Sequence, residues 1–212
     1  MAVSGLLLIR HGRTPWNACG RIQGHRDIGL SAAGRAEIAA ARVPPEYAHF
    51  RWYASPLRRA VQTAELLGAR ELETDARLME LDWGEWEGWT RGELRARHGR
   101  AYAENEARGL DFRPPGGESP AELRVRFGAW LAEVAAGGAP AIAVTHKGVI
   151  QMALAMATGW DLTSRAPTRL DWQRGQLFRL TQPAGGLEVA RLNVVLGGSA
   201  PAPRRAGGEA GP

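Results

Sequence analysis

The chain is almost without cysteine, almost without lysine, and has no long apolar run. Its one cysteine, Cys19, excludes an internal disulfide framework and a zinc site built from several thiolates. No Asp-x-Asp, His-x-His or Cys pair is present, so no metal constellation is legible. No apolar stretch reaches the roughly 18 residues needed to cross a bilayer. The short apolar start, Met1 to Ile9, has no basic residues before it and no small-residue cleavage site. A cytoplasmic protein without a membrane partner is expected. Of the 27 basic residues, Lys147 is the only lysine. The arginines alternate with acids along helical stretches, as at Arg91, Glu93, Arg95 and Arg97, and no run of five basic residues occurs. The arginine excess is read chiefly as genomic base composition; the net charge of +5 does not mark a nucleic-acid face, and an anionic small substrate is compatible with it.

What is present is a succession of strand and helix signals. Residues 3–9 form a buried-type strand that ends abruptly in Arg10-His11-Gly12. Ser31 caps a helix to about Arg42, and Phe50–Ala54 is a second strand. Ser55-Pro56 then opens a helix running to about Leu67. Leu72–Thr74 is a short strand. Thr90-Arg91-Gly92-Glu93 and Ser119-Pro120-Ala121-Glu122 each read as a capping box. Behind the second, Leu123, Phe127, Trp130, Leu131 and Val134 share one helical face. Ala141–Thr145 is a further buried strand, followed by a helix from Lys147 to Thr158. Leu177–Leu180 and Leu187–Leu192 close the chain as a strand pair. The alternation implies an α/β fold: a three-layer α/β/α sandwich around a mainly parallel mixed sheet. One domain to about residue 196 is expected, with a small helical cap insertion at about 83–117 and a disordered Gly/Ala/Pro/Arg tail over 197–212.

Three polar clusters fall where strands hand over to helices: Arg10-His11-Gly12, Ser55 to Arg59, and Thr145-His146-Lys147-Gly148. In a parallel sheet these lie together at the carboxyl edge, beside helix N-termini that favour anions. Two imidazoles and several guanidinium groups in one cleft suit a phosphoryl group. A neutral imidazole is a nucleophile toward phosphorus, and arginines stabilise the charge that spreads over the phosphoryl oxygens.

Taken in order, Leu8-Ile9-Arg10-His11-Gly12, Thr14 with Trp16-Asn17, Gly20 to Gly24, Ser55 to Ala60 with Gln62-Thr63-Ala64, Leu78-Met79-Glu80, Trp83 to Gly88, Gly116 to Ser119 and Val144-Thr145-His146 resemble the histidine phosphatase superfamily, phosphoglycerate-mutase-like branch. The resemblance spans nearly the whole chain to about residue 193. It implies a metal-independent phosphomonoesterase of small phosphorylated metabolites, working through a phosphohistidine and needing no cofactor. His11 would be the nucleophile, and Arg10, Arg59 and His146 would complete the phosphate pocket. The pattern chooses Arg59 over Arg58, because the pocket arginine directly precedes Ala60. Glu80 would be the proton donor to the leaving group. Chemistry alone does not separate Glu80 from Asp82, Glu85 and Glu87, which are read as a solvated acidic loop. Asn17 would be a further donor, and Gln23 and Gly24 would line the entrance.

Two positions depart from the pattern. Arg13 stands where an acidic or amide residue is usual, and Lys147 where glycine is frequent. Both are candidate substrate-binding cations if they face the cleft. The spaced Trp83, Trp86 and Trp89 are read as packing between cap and core. Glu118-Ser119 reads equally as part of a helix cap. Two alternatives remain open at this point: phosphoryl return to product in a mutase, and a non-catalytic phosphate-binding protein. A homodimer is compatible with the sequence, and the natural substrate is not legible.

Overall fold

A computed structural model describes residues 4–181 and 186–197. Of the expected tail over 197–212, all but Gly197 lies outside the described residues, as do residues 182–185. Gly197 pairs its backbone with Arg42.

The first strand shows how the layers arise. In β1 (Ser4–Arg10), Leu6 and Leu8 enter one apolar cluster, while Leu7 and Ile9 enter a second on the opposite face. All four are essentially inaccessible. A strand with successive side chains on opposite faces and both faces apolar must be covered on both sides. Each such side chain contributes roughly 1.5–3 kcal/mol on burial. β4 (Ala141–Thr145) repeats the pattern, with Ala141 and Ala143 on one side and Ile142 and Val144 on the other.

The sheet has six strands in the order β3-β2-β4-β1-β5-β6. β2 (Arg51–Ala54), β3 (Leu72–Thr74), β4 and β1 run parallel; β5 (Gly175–Thr181) and β6 (Gly186–Val194) are antiparallel additions. After the short helix α1 (Pro15–Ala18), helices α2 (Ala32–Ala40) and α3 (Arg58–Leu66) cover the face that holds Leu7, Ile9 and Val144. Helices α5 (Pro120–Gly137) and α6 (Lys147–Thr158) cover the other. This is the α/β architecture that the strand–helix alternation implies.

Both capping boxes form. Thr90 and Glu93 start α4 (Arg91–Glu106), and Ser119 and Glu122 start α5. All five residues of the anticipated α5 face are buried. One helix start differs from the sequence reading: α3 begins at Arg58, not at Ser55-Pro56. Ser55 instead prolongs the ladder, its N–H donating to Val144 at 3.0 Å. Its hydroxyl accepts from the Leu57 N–H at 3.3 Å. Asp27 provides the missing cap from a distant loop, accepting the Arg58 N–H at 2.7 Å.

Residues 83–117 carry a 3₁₀ turn at Gly84–Trp86, α4 (kinked at Gly99) and a second turn at Gly109–Asp111. Their buried Trp86, Leu94, Tyr102 and Phe112 belong to the same cluster as α5 and α6. Trp86 packs against Tyr102 and Phe112 within this segment, and it joins the apolar cluster against which Trp83 and Trp89 also pack.

Candidate active site

Sheet register places the two histidines side by side. Arg10 pairs with Thr145 across the parallel β1–β4 ladder, and the His11 N–H extends it to the Thr145 carbonyl at 2.9 Å. The next residue on each strand is therefore a histidine, and the rings of His11 and His146 lie 5.1 Å apart between centroids. Both are buried.

Hydrogen bonds fix their tautomers. His11 Nδ1 lies 2.8 Å from the Gly12 carbonyl. A carbonyl only accepts, so Nδ1 carries the proton and Nε2 keeps its lone pair. His146 has the opposite arrangement. Its Nδ1 accepts from Arg59 Nε at 3.3 Å, so Nε2 carries the proton. That Nε2 is buried without a partner among the described residues, as is the Nε of Arg10. The site thus presents one lone pair and two orphaned donors. Buried donors without acceptors are costly and mark a place for an anion.

Burial holds both imidazoles neutral. The His11 pKa lies well below the ordinary 6.5 through burial first and then the charges of Arg59 and Arg10. The His146 pKa is lowered by burial first, then by Arg59 and by His11 itself.

Arg59 is fully buried. Its terminal nitrogens donate to the carbonyls of Arg26 and Gly24, each at 2.7 Å. Each of those nitrogens retains a second hydrogen. Thr63 locks this helix end to β1: its hydroxyl donates to the Arg59 carbonyl at 2.6 Å and accepts the Gly12 N–H at 2.9 Å.

Glu80 approaches from the loop after β3. One carboxylate oxygen accepts from the Gly148 N–H at 2.9 Å and from the Leu81 N–H at 3.0 Å. The other oxygen makes no hydrogen bond among the described residues. Gly148 must be small, because a Cβ there would collide with that carboxylate. The Glu80 carbonyl is held by His25 Nε2 at 2.8 Å and by Arg126 at 3.0 Å. Arg126 also chelates Glu118 at 2.6 and 2.8 Å and reaches the Arg77 carbonyl at 2.7 Å. Glu118 is therefore part of the Glu80 support as well as a neighbour of the Ser119 cap.

Glu80 and Lys147 share the wall of a cavity of about 310 Å³ with Trp83, Arg91, Gln151 and Trp160. Gln151 and Trp160 also border a second hollow of about 620 Å³, which Trp172 lines.

Asn17 and Gln23 converge on Thr14. The Thr14 hydroxyl donates to Gln23 at 2.9 Å, and the Asn17 carbonyl oxygen accepts the Thr14 N–H at 3.0 Å. Gly24 lies beneath Arg59 and presents its carbonyl to it. Arg13 does not line the cavity beside Glu80, although its charge acts on Arg10. Its side chain is 54% exposed and pairs with Glu37 on α2 at 3.4 Å.

The acidic loop is not uniformly solvated. Glu87 has a side chain only 7% exposed, accepting the His25 N–H at 2.6 Å and pairing with Arg26 at 3.4 Å. His25, Arg126, Glu87 and Trp172 were not singled out by sequence reasoning for the site. His25 alone had a local signal, following Gln23-Gly24 directly. Among the described residues, no three His, Cys, Asp or Glu side chains converge as a metal site would require. No helix is long and apolar enough to cross a membrane, again among the described residues.

Comparison with known proteins agrees with the geometry. The model of the histidine phosphatase superfamily (branch 1) matches residues 6–195. A glucosyl-3-phosphoglycerate phosphatase of Mycobacterium tuberculosis is 35% identical over 165 residues, covering 71% of this chain and 73% of the relative. Phosphoglycerate mutase-like protein 4 of Arabidopsis thaliana is 35% identical over 157 residues, covering 69% and 67%. Among solved structures, mycobacterial hydrolase 1 superposes with a TM-score of 0.77 at 27% identity, covering 92% of this chain and all of that one.

Proposed function

Since the chain belongs to the histidine phosphatase superfamily, branch 1, we propose that it hydrolyses small phosphomonoesters through a phosphohistidine at His11. The observation that carries this reading is the complementary pair of tautomers. His11 Nε2 offers a lone pair beside the orphaned donors of His146 and Arg10.

In this mechanism the phosphoryl oxygens occupy the orphaned donors, and Arg59 adds charge from beneath. His11 Nε2 attacks phosphorus in line. An N–P bond forms as the P–O bond to the alcohol breaks. Glu80 gives its proton to the departing oxygen from the carboxylate oxygen that no backbone group occupies. Water then attacks phosphorus, Glu80 takes its proton, the N–P bond breaks, and inorganic phosphate leaves. Positive charge at phosphorus comes from Arg10, Arg59 and the His146 N–H, so turnover should persist in chelator. The name of the mycobacterial relative, a glucosyl-3-phosphoglycerate phosphatase, supports a phosphorylated glycerate derivative as the first substrate to assay. We place the enzyme in the cytoplasm.

Rapid quench with a labelled phosphomonoester tests the reading. Label should appear on His11 and chase into phosphate, and His11→Ala should lose both label and turnover. Label recovered on another residue, or no acid-labile adduct at all, would overturn it.

A further inference from the structure

The only lysine of the chain stands one residue after the second histidine, at the first turn of α6. Glu80 and Glu106 line the same cavity as this lysine, but neither forms an ion pair with it among the described residues. The Lys147 Nζ lies 5.4 Å from the ring centroid of Trp172, and the Arg10 guanidinium lies 5.8 Å from that same ring. Burial together with the charges of Arg91 and Arg10 lowers the Lys147 pKa, and Glu80 opposes them. Arg10, like Lys147, has no ion pair among the described residues, whereas three other cations do. Arg91 pairs with Glu106 at 2.5 Å, Arg13 with Glu37, and Arg126 with Glu118. Lys147 has no ion pair and no hydrogen bond among the described residues, although it lines the cavity beside Glu80. Lys147 is an exposed residue on the cavity wall, so water reaches its ammonium, and an unpaired cation flanked there by Arg10 and Arg91 is set to exchange that water for an anion. The phosphoryl group does not meet that need, because its donors are the deeper His146 and Arg10.

We propose that Lys147 is a specificity residue, holding a second negative group carried by the alcohol part of the substrate, such as a carboxylate. This deepens the phosphatase reading and rests on it. The alcohol has a neighbouring space to extend toward, because Gln151 and Trp160 border both the Lys147 cavity and the larger hollow lined by Trp172. Aromatic walls there suit a ring-bearing alcohol.

A matched pair of substrates tests the proposal. 3-Phosphoglycerate and glycerol 3-phosphate share a skeleton and differ in one carboxylate. The wild-type enzyme should prefer 3-phosphoglycerate in kcat/KM by about tenfold or more. Lys147→Met should lower that ratio by about tenfold, and Lys147→Arg should retain most of it. A wild-type ratio near one would overturn the proposal, as would a Met variant that slows both substrates equally. Chemical protection provides a second readout. In His11→Ala, amine-selective trinitrophenylation of Lys147, mapped by peptide, should be blocked better by 3-phosphoglycerate than by glycerol 3-phosphate; equal protection counts against it. Failure of the phosphatase reading itself would look different, as absent release of phosphate from p-nitrophenyl phosphate by the wild-type enzyme.

Discussion

Arg59 Nε donates to His146 Nδ1 across 3.3 Å, and that single contact decides which nitrogen of His146 faces the phosphoryl pocket with a hydrogen. The same guanidinium ties down the carbonyls of Gly24 and Arg26. One buried side chain therefore sets a tautomer and shapes the entrance loop.

Arg59→Lys should separate charge from geometry. Lysine keeps the positive charge and loses the planar fork, so it cannot serve His146 and two carbonyls together. The kcat/KM on p-nitrophenyl phosphate should fall by about 10²–10³, the scale of losing an oriented transition-state donor. Thermal unfolding should show destabilisation of about 1–3 kcal/mol, from carbonyls left without donors. Activity within about threefold of wild type would show that charge alone suffices there.

Gly148→Ala should displace Glu80. The added methyl would occupy the space of the carboxylate oxygen that accepts the Gly148 N–H. Alanine is a better helix former than glycine, so α6 should persist. Proton donation matters most for a poor leaving group. Hydrolysis of an alkyl phosphate should fall by about 10²-fold, and that of p-nitrophenyl phosphate distinctly less. Equal losses on the two esters would remove Glu80 from the role of proton donor.

Arg13→Gln should leave selectivity between 3-phosphoglycerate and glycerol 3-phosphate unchanged. The side chain is directed at Glu37 on α2, where an exposed pair contributes about 0–1 kcal/mol. The same substrate pair used for Lys147 checks it. A fall in the ratio would place Arg13 in the cleft during turnover.

The parts legible in sequence are those with local causes. The doubly apolar run Leu6–Ile9, the two capping boxes and the one-faced helix from Leu123 to Val134 each specify their structure within a few residues. The convergence of His11 and His146 follows from parallel strands ending at one edge. Other features depend on partners remote in sequence. Ser55-Pro56 has the chemistry of a helix start, but Asp27 caps α3 one turn later. The acid-rich stretch from Asp82 to Glu87 reads as a loop, yet Glu87 is buried because the His25 and Arg26 segment folds onto it. Arg13 and Lys147 are equivalent departures from the family pattern on paper. What separates them is Glu37, which reaches one and not the other.

Stability should fall on mild acidification, and the sign follows from the two buried imidazoles. Both have folded pKa values well below 6.5, whereas in the unfolded chain they titrate near the ordinary value. Below about pH 6.5 the unfolded chain binds protons that the native site refuses, so unfolding is favoured as pH drops. The loss continues down to the folded pKa and vanishes above about pH 7.5, where neither state is protonated. By pH 5 each histidine should cost on the order of 1–2 kcal/mol. Thermal unfolding from pH 7.5 to 5 should therefore show a falling Tm in the wild-type protein and a shallower fall in His11→Gln/His146→Gln. The double variant shares every other titrating group, so the difference between the two slopes belongs to these rings. Identical slopes would mean that the two rings bind as many protons in the folded protein as in the unfolded chain, so that burial and the neighbouring arginines do not hold them neutral on acidification.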